Sequence, residues 1–296
     1  VYGKVLDWYN DRSIRTVSFV AIIFGCVFFY LEKGRNSHYM LLDVLRLRTI
    51  RLGVLLYLLL MIFNSSAMFV NVFTGIGMKL DNYQNATLGN WCMAGYAIGA
   101  LSSMFLGSKG VHFKYLFAAG FLFLGLSAVF MYFEVQSAGL YERMKYPVII
   151  RTTGMMFLYA LTAAYATQRM PYKYLSTWIC VMLTVRMVLG PSIGGAIYSN
   201  VLQERQQHYI VRYAQNVDML HPEASASFIQ TMQGMQYQGK SKQEALNMAA
   251  LSTKGRIQVQ ATLSAVKEMA GWTIYGCLFC MIFVLIIPYP KRKLLT

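Results

Sequence analysis

The sequence predicts an all-α integral membrane protein with seven transmembrane helices. Three observations carry the prediction. The 296 residues are 56% hydrophobic and only 13% charged, where a soluble domain carries about 25% charged residues. The apolar residues fall in continuous blocks, several of the roughly 20 residues that a bilayer-spanning helix needs, and they do not alternate as barrel strands do. The basic residues sit mainly in the short gaps between blocks, where Lys and Arg set the orientation of a membrane protein. A net charge of +15 spread in this way is no basic stripe, so a nucleic-acid partner is not expected.

The first span is read at 16–31, preceded by a polar external start and followed by a cytoplasmic loop, so that residues 1–51 form one section. Residues 52–201 hold five helices of one bundle, read at 52–73, 88–106, 115–133, 147–166 and 175–201. Each is an apolar block closed off by polar or basic residues. Residues 202–268 are polar and rich in Gln, and are expected to be an external loop with helical content. Residues 203–218 would continue the sixth helix, Pro222 would interrupt it, and 242–248 and 256–267 would be two further helical pieces, the latter leading into the last span. Residues 269–296 complete the chain with the last span, 269–287, and a basic tail.

Sidedness follows from the short loops. The side carrying the C-terminus holds twelve Lys and Arg, among them Lys33, Arg46, Arg51, Lys109, Arg169 and Lys291. The other side holds six: Lys4, Arg12, Arg15, Lys79, Arg143 and Lys145. The richer side is read as cytoplasmic. Trp8, Tyr146, Trp178, Trp272 and Tyr289 fall near span edges, as interfacial aromatics do. The chain opens on Val1 in a segment read as external, and it is expected to be the later part of a longer protein.

Two cations fall inside spans. Arg186 lies near the middle of the sixth, with about ten apolar residues on either side, and Arg151 near the start of the fifth. A charge at membrane depth is costly and faces a cavity or a partner. Arg186 is read either as contacting substrate, a carboxylate or a gating helix end, or as pairing with backbone carbonyls. Arg151 has a second option, since a long side chain near a span end reaches the interface. No acidic residue lies deep in a span.

The stretch Arg186-Met-Val-Leu-Gly190-Pro191-Ser-Ile-Gly194-Gly195-Ala196-Ile197 is the most specific in the chain. Gly190 and Gly194 form a G-x-x-x-G face for close helix contact. Pro191 removes a backbone donor and bends the helix, which suits either a pivot for rocking motions or ordinary tight packing. Gly95 and Gly99 repeat the spacing and are read as packing. Polar and adaptable residues in apolar surroundings, Asn64, Tyr57, Asn71, Met155 and Tyr159, are the candidates for a substrate cavity.

Enzyme chemistry is not expected, because phosphate-cradling loops, zinc-protease helices and nucleophile elbows are all missing. The four histidines are scattered, and no metal or cofactor is expected. Cys277 and Cys280 form a C-x-x-C at membrane depth, without a second pair or a nearby His, and are read as packing residues.

The order of these features resembles the fourteen-helix drug:proton antiporters of the EmrB/QacA type, in the major facilitator superfamily. Tyr2-Gly3-Lys4-Val-Leu-Asp7-Trp8-Tyr9 is similar to the G-x-x-x-D-W-F segment before the eighth helix of that family. Met40-Leu-Leu-Asp43-Val-Leu-Arg46-Leu-Arg48 is similar to its leucine-rich loop, without the Pro. Arg151-Thr-Thr-Gly154 resembles an R-G-x-G helix start, and Arg186 to Ile197 resembles R-x-x-G-x-S-x-G-x-A-I. Gln260-Ala261 and the last helix also fall in family order. Gly190-Pro191 departs from this, since it also resembles the G-P-x-x-G-G motif of the superfamily's other half.

The resemblance implies a C-terminal six-helix bundle preceded by one linker helix. It implies proton-coupled export of drugs or other lipophilic small molecules by alternating access, in a bacterial inner membrane. The coupling carboxylate and half the cavity would lie in an N-terminal half. A periplasmic adaptor and an outer-membrane channel would be partners, with 202–268 as the contact. The alternatives are an exporter of one metabolite or siderophore, and a membrane scaffold subunit that transports nothing.

Overall fold

The computed structural model describes residues 11–33, 47–136, 139–168, 170–216 and 222–289. The segment 2–10, the loop 40–46, Arg169 and the basic tail 291–293 lie outside the described residues. The described residues are 90% helical, and no strand occurs among them.

In chain order the helices are α1 Arg12–Lys33, α2 Arg48–Asn64, α3 Ala67–Val72, α4 Asn82–Ser108, α5 Phe113–Glu134, α6 Lys145–Thr167, α7 Leu175–Thr184, α8 Gly190–Asn216, α9 Pro222–Tyr237 and α10 Lys242–Ile286. A π turn, Phe73–Gly77, closes α3, and another, Val185–Leu189, joins α7 to α8. Each of the seven expected spans falls on a helix or helix run. Five helical segments are long and apolar enough to cross a membrane: Arg48–Gly77, Phe113–Glu134, Tyr141–Thr167, Tyr172–Gln215 and Lys242–Ile286. The described chain is thus all-helical, with several helices of the length and apolarity of membrane spans. The expected first and third spans, on α1 and α4, are not among those five.

The polar segment departs from its expected form at one point. Residues 256–267 lead into the last span as expected, but 242–248 is not a separate piece, and 242–286 is one helix of 45 residues. At 1.5 Å per residue α10 is roughly 67 Å long, more than twice the ~30 Å hydrocarbon core of a bilayer. Its start is fixed by a capping box: Ser241 Oγ accepts from the Glu244 N–H at 3.3 Å, and Glu244 accepts from the Ser241 N–H at 3.1 Å. Gly255, which would weaken the helix, has open space around it and the helix continues through.

The chain forms two compact units. The first comprises the described residues of Val1–Ser65 together with Leu158–Asn200. Here α2 packs on α7 and on the π turn Val185–Leu189. Ile50, Ala166 and Trp178 make a small core. Gly53 admits the indole, since a Cβ there would lie 3.2 Å from Trp178 Cη2.

The second comprises Ser66–Phe157 and Val201–Thr296. Its centre is α10 against α5, with α9 and the π turn Phe73–Gly77 also on α10. Gly154 presses on the Gly120 carbonyl and the Leu124 nitrogen, each 3.1 Å from where a Cβ would sit, which draws α6 onto α5. Gly95 and Gly99 bring α4 onto α6 in the same way. A Cβ at Gly99 would be 2.5 Å from the Thr153 carbonyl oxygen, and the Thr153 hydroxyl donates to the Gly95 carbonyl at 3.2 Å. The Tyr141 hydroxyl reaches the Gln84 carbonyl at 3.4 Å, so the 79–82 and 135–144 connections share one end of this unit. His112 lies against Tyr289 at 6.4 Å between ring centroids, at the opposite end of α5.

Candidate functional site

The first unit gathers eight of the residues singled out from sequence: Arg186, Gly190, Pro191, Gly194, Gly195, Asn64, Tyr57 and Tyr159. Their arrangement starts from a shared spacing of four. Tyr57, Met61 and Ser65 form one stripe along α2, and Arg186, Gly190 and Gly194 form another. The two stripes run parallel and in step. A Cβ at Gly190 would collide with Met61, its Cγ being 2.7 Å away. A Cβ at Gly194 would meet Ser65, whose Cβ is 3.0 Å away, and the Ile62 Cα at 3.1 Å. This is the interlock of two i±4 ridges, made possible by glycine at the two closest points.

Arg186 occupies the π turn at the head of its stripe. Its guanidinium carbon sits 4.5 Å from the centroid of the Tyr159 ring, a cation–π contact worth about 0.5–2 kcal/mol. Tyr159 meets Tyr57 edge-on, with centroids 5.0 Å apart and ring planes at 62°. Tyr57 is fully buried. The hydroxyls of Tyr57 and Tyr159 are both enclosed and face one another. Arg186 makes no ion pair among the described residues.

Pro191 explains why the turn is a π turn. It has no N–H to give to the carbonyl four residues earlier. The Gly190 N–H instead bonds the Val185 carbonyl, five residues back. Such bulges often mark functional sites. Gly195 has nothing within 4 Å and is on the open side of α8. Asn64 is half-buried at the end of α2.

The other three candidates belong to the second unit. Asn71 is exposed, and its carbonyl accepts from the Thr74 hydroxyl at 3.2 Å. Met155 is half-buried on α6. Arg151 is half-buried against Cys92 and Tyr96 of α4. Among the described residues no group of three His, Cys, Asp or Glu is placed to hold a metal, and all five cysteines are free thiols.

Two features escaped the sequence reading. Asn200, in the first unit, buries its Oδ1 without a hydrogen-bond partner among the described residues; an amide in the sixth apolar block was the available signal. In the second unit Arg205 pairs with Glu268 at 3.6 Å and lies over Trp272 at 4.9 Å. Gln206 donates to the Thr262 hydroxyl at 2.7 Å, and Tyr213 shares a 2.7 Å hydrogen bond with Ser264. These contacts zip α8 to α10 through the polar segment. They join positions more than 50 residues apart, which no local motif marks. Compared with family models and with curated proteins, the chain matches none.

Proposed function

We propose that this chain is part of a secondary transporter that exports lipophilic small molecules in exchange for protons by alternating access. The observation that carries the proposal is Arg186: a cation at membrane depth, held on the Tyr159–Tyr57 pair, in a π turn beside Pro191. Structural arginines at such depth pair with a carboxylate or with backbone. This one rests on a ring face, beside two enclosed tyrosine hydroxyls. A substrate with an acceptor or an aromatic ring matches the cation and the rings. A π turn ahead of a proline is also a plausible pivot, because its hydrogen bonds are already out of α-helical register.

No carboxylate lies deep in the spans, so protons would be carried by a group elsewhere in the transporter. The polar reach of α8, α9 and α10 would be the contact for a periplasmic adaptor. The test is dye efflux from pump-deficient bacteria expressing the full-length gene, with and without a proton ionophore. Efflux that the ionophore abolishes is the expected result. With the protein present in the membrane, a failure across a broad dye panel would remove the multidrug reading. A competition panel of metabolites would then decide between a narrow-substrate exporter and a scaffold.

A further inference from the structure

The second unit holds an open cleft of about 900 Å³, between the end of the π turn Phe73–Gly77 and the polar half of α10. Lys79 and Arg256 line it, with Gln206, Gln258 and Thr262 supplying amide and hydroxyl groups and Ile76 an apolar wall. No lining residue is acidic.

Among the described residues the two cations make no ion pair. In the same unit Arg205 is paired with Glu268, Arg143 with Glu134 and Lys145 with Glu142, and Lys267 lies over Tyr132. Lys79 and Arg256 have no such partner among the described residues. Asp81, the nearest acid in sequence to Lys79, is occupied in capping α4, where its Oδ1 accepts from the Gln84 N–H at 2.7 Å.

Lys79 is also the one non-glycine residue among those described with a positive φ, +52°. It closes the helix run in the left-handed conformation, a position where glycine is usual and where a side chain is strained. Lys79 and Arg256 are both exposed on the lining of the cleft. On the cleft floor Gln206 is fixed by its bond to Thr262, whose hydroxyl donates in turn to the Gln258 carbonyl at 2.8 Å. The second amide N–H of Gln206 remains available.

A point charge, a planar guanidinium fork and a fixed amide donor match an oxyanion with several acceptor oxygens. The volume is far larger than a simple inorganic ion requires. We propose that this cleft binds a phosphate ester, supplied either by the headgroup of an anionic lipid or by a soluble phosphorylated compound.

The experiment measures thermal stability of the full chain in a nonionic detergent. Dihexanoyl phosphatidylglycerol, glycerol 3-phosphate and glycerol are titrated separately. A saturable rise with either phosphate ester and none with glycerol is expected. A rise with the lipid alone assigns the headgroup, and a rise with glycerol 3-phosphate assigns a soluble ligand. Lys79→Gly keeps the positive φ without strain and removes the cation, and Arg256→Gln keeps the helix. Each is expected to raise the half-saturating concentration at least tenfold, while Lys254→Gln, on the same helix but outside the cleft, leaves it unchanged. No rise with either ester overturns the proposal. So does a rise that both cleft variants retain, or one that Lys254→Gln weakens equally.

Discussion

Gly194 and Gly195 are adjacent and identical in sequence, yet the structure separates them completely. Gly194 lies where any Cβ would run into Ser65, and Gly195 faces open space. Gly194→Val should therefore cost about 1–3 kcal/mol through overpacking, whereas Gly195→Ala should stay within about 0.5 kcal/mol. Thermal unfolding of the two variants in detergent checks this, and equal losses would mean that α8 does not pack on α2 through this face. Arg186 belongs to the same scale. Its partner is a ring face, which attracts a cation and not a neutral amide. Arg186→Gln should lower efflux at least tenfold at unchanged expression, and Arg186→Lys should keep a measurable fraction. Unchanged efflux in Arg186→Gln would remove this residue from the transport reading.

At the scale of the element, the π turn Val185–Leu189 owes its register to a missing donor. Pro191→Ala restores an N–H that can bond the Met187 carbonyl, so α7 and α8 can join as one regular helix. A proline within a helix costs about 3 kcal/mol, and part of that should be recovered as a higher unfolding temperature. If the turn is a pivot, efflux should slow as stability rises. Stability and efflux rising together would mean that the turn is a packing accommodation. The contacts between α4 and α6 follow a different logic: two glycines and one threonine, Gly95, Gly99 and Thr153, hold backbones close enough for a hydroxyl to reach across. The G-x-x-x-G spacing predicted that packing. It did not predict that Arg151 would lie in the same layer, because the direction of its side chain depends on Cys92 and Tyr96 of another helix.

For the whole molecule, the long α10 poses the sharpest test. Leu251 and Phe279 are nearly equally exposed, at 68% and 69%, but the apolar half of the helix begins only near residue 269. In a background without the native cysteines, Leu251→Cys should react with a membrane-impermeant maleimide and Phe279→Cys should not. Labelling of both would place the end of α10 in water and remove the last span. Labelling of neither would contradict the polar reach of the helix. Large apolar side chains on α1, among them Phe19, Ile22 and Phe24, are also exposed in the fold.

The sequence by itself determined the class of the protein, the positions of its apolar blocks and the residue types worth watching. Hydropathy is additive along a local window, so a block of 20 residues declares itself without reference to the rest of the chain. It also marked Arg186, Gly190 and Pro191, because a charge, a proline and paired glycines are conspicuous in an apolar run. Tertiary structure alone decided which glycine touches a neighbour, that Tyr57 and Tyr159 stand under Arg186, that 242–286 is one helix, and that Lys79 and Arg256 share a cleft. Each of those depends on side chains brought together from far apart in sequence, and the pairing energy is a property of the contact, not of either segment.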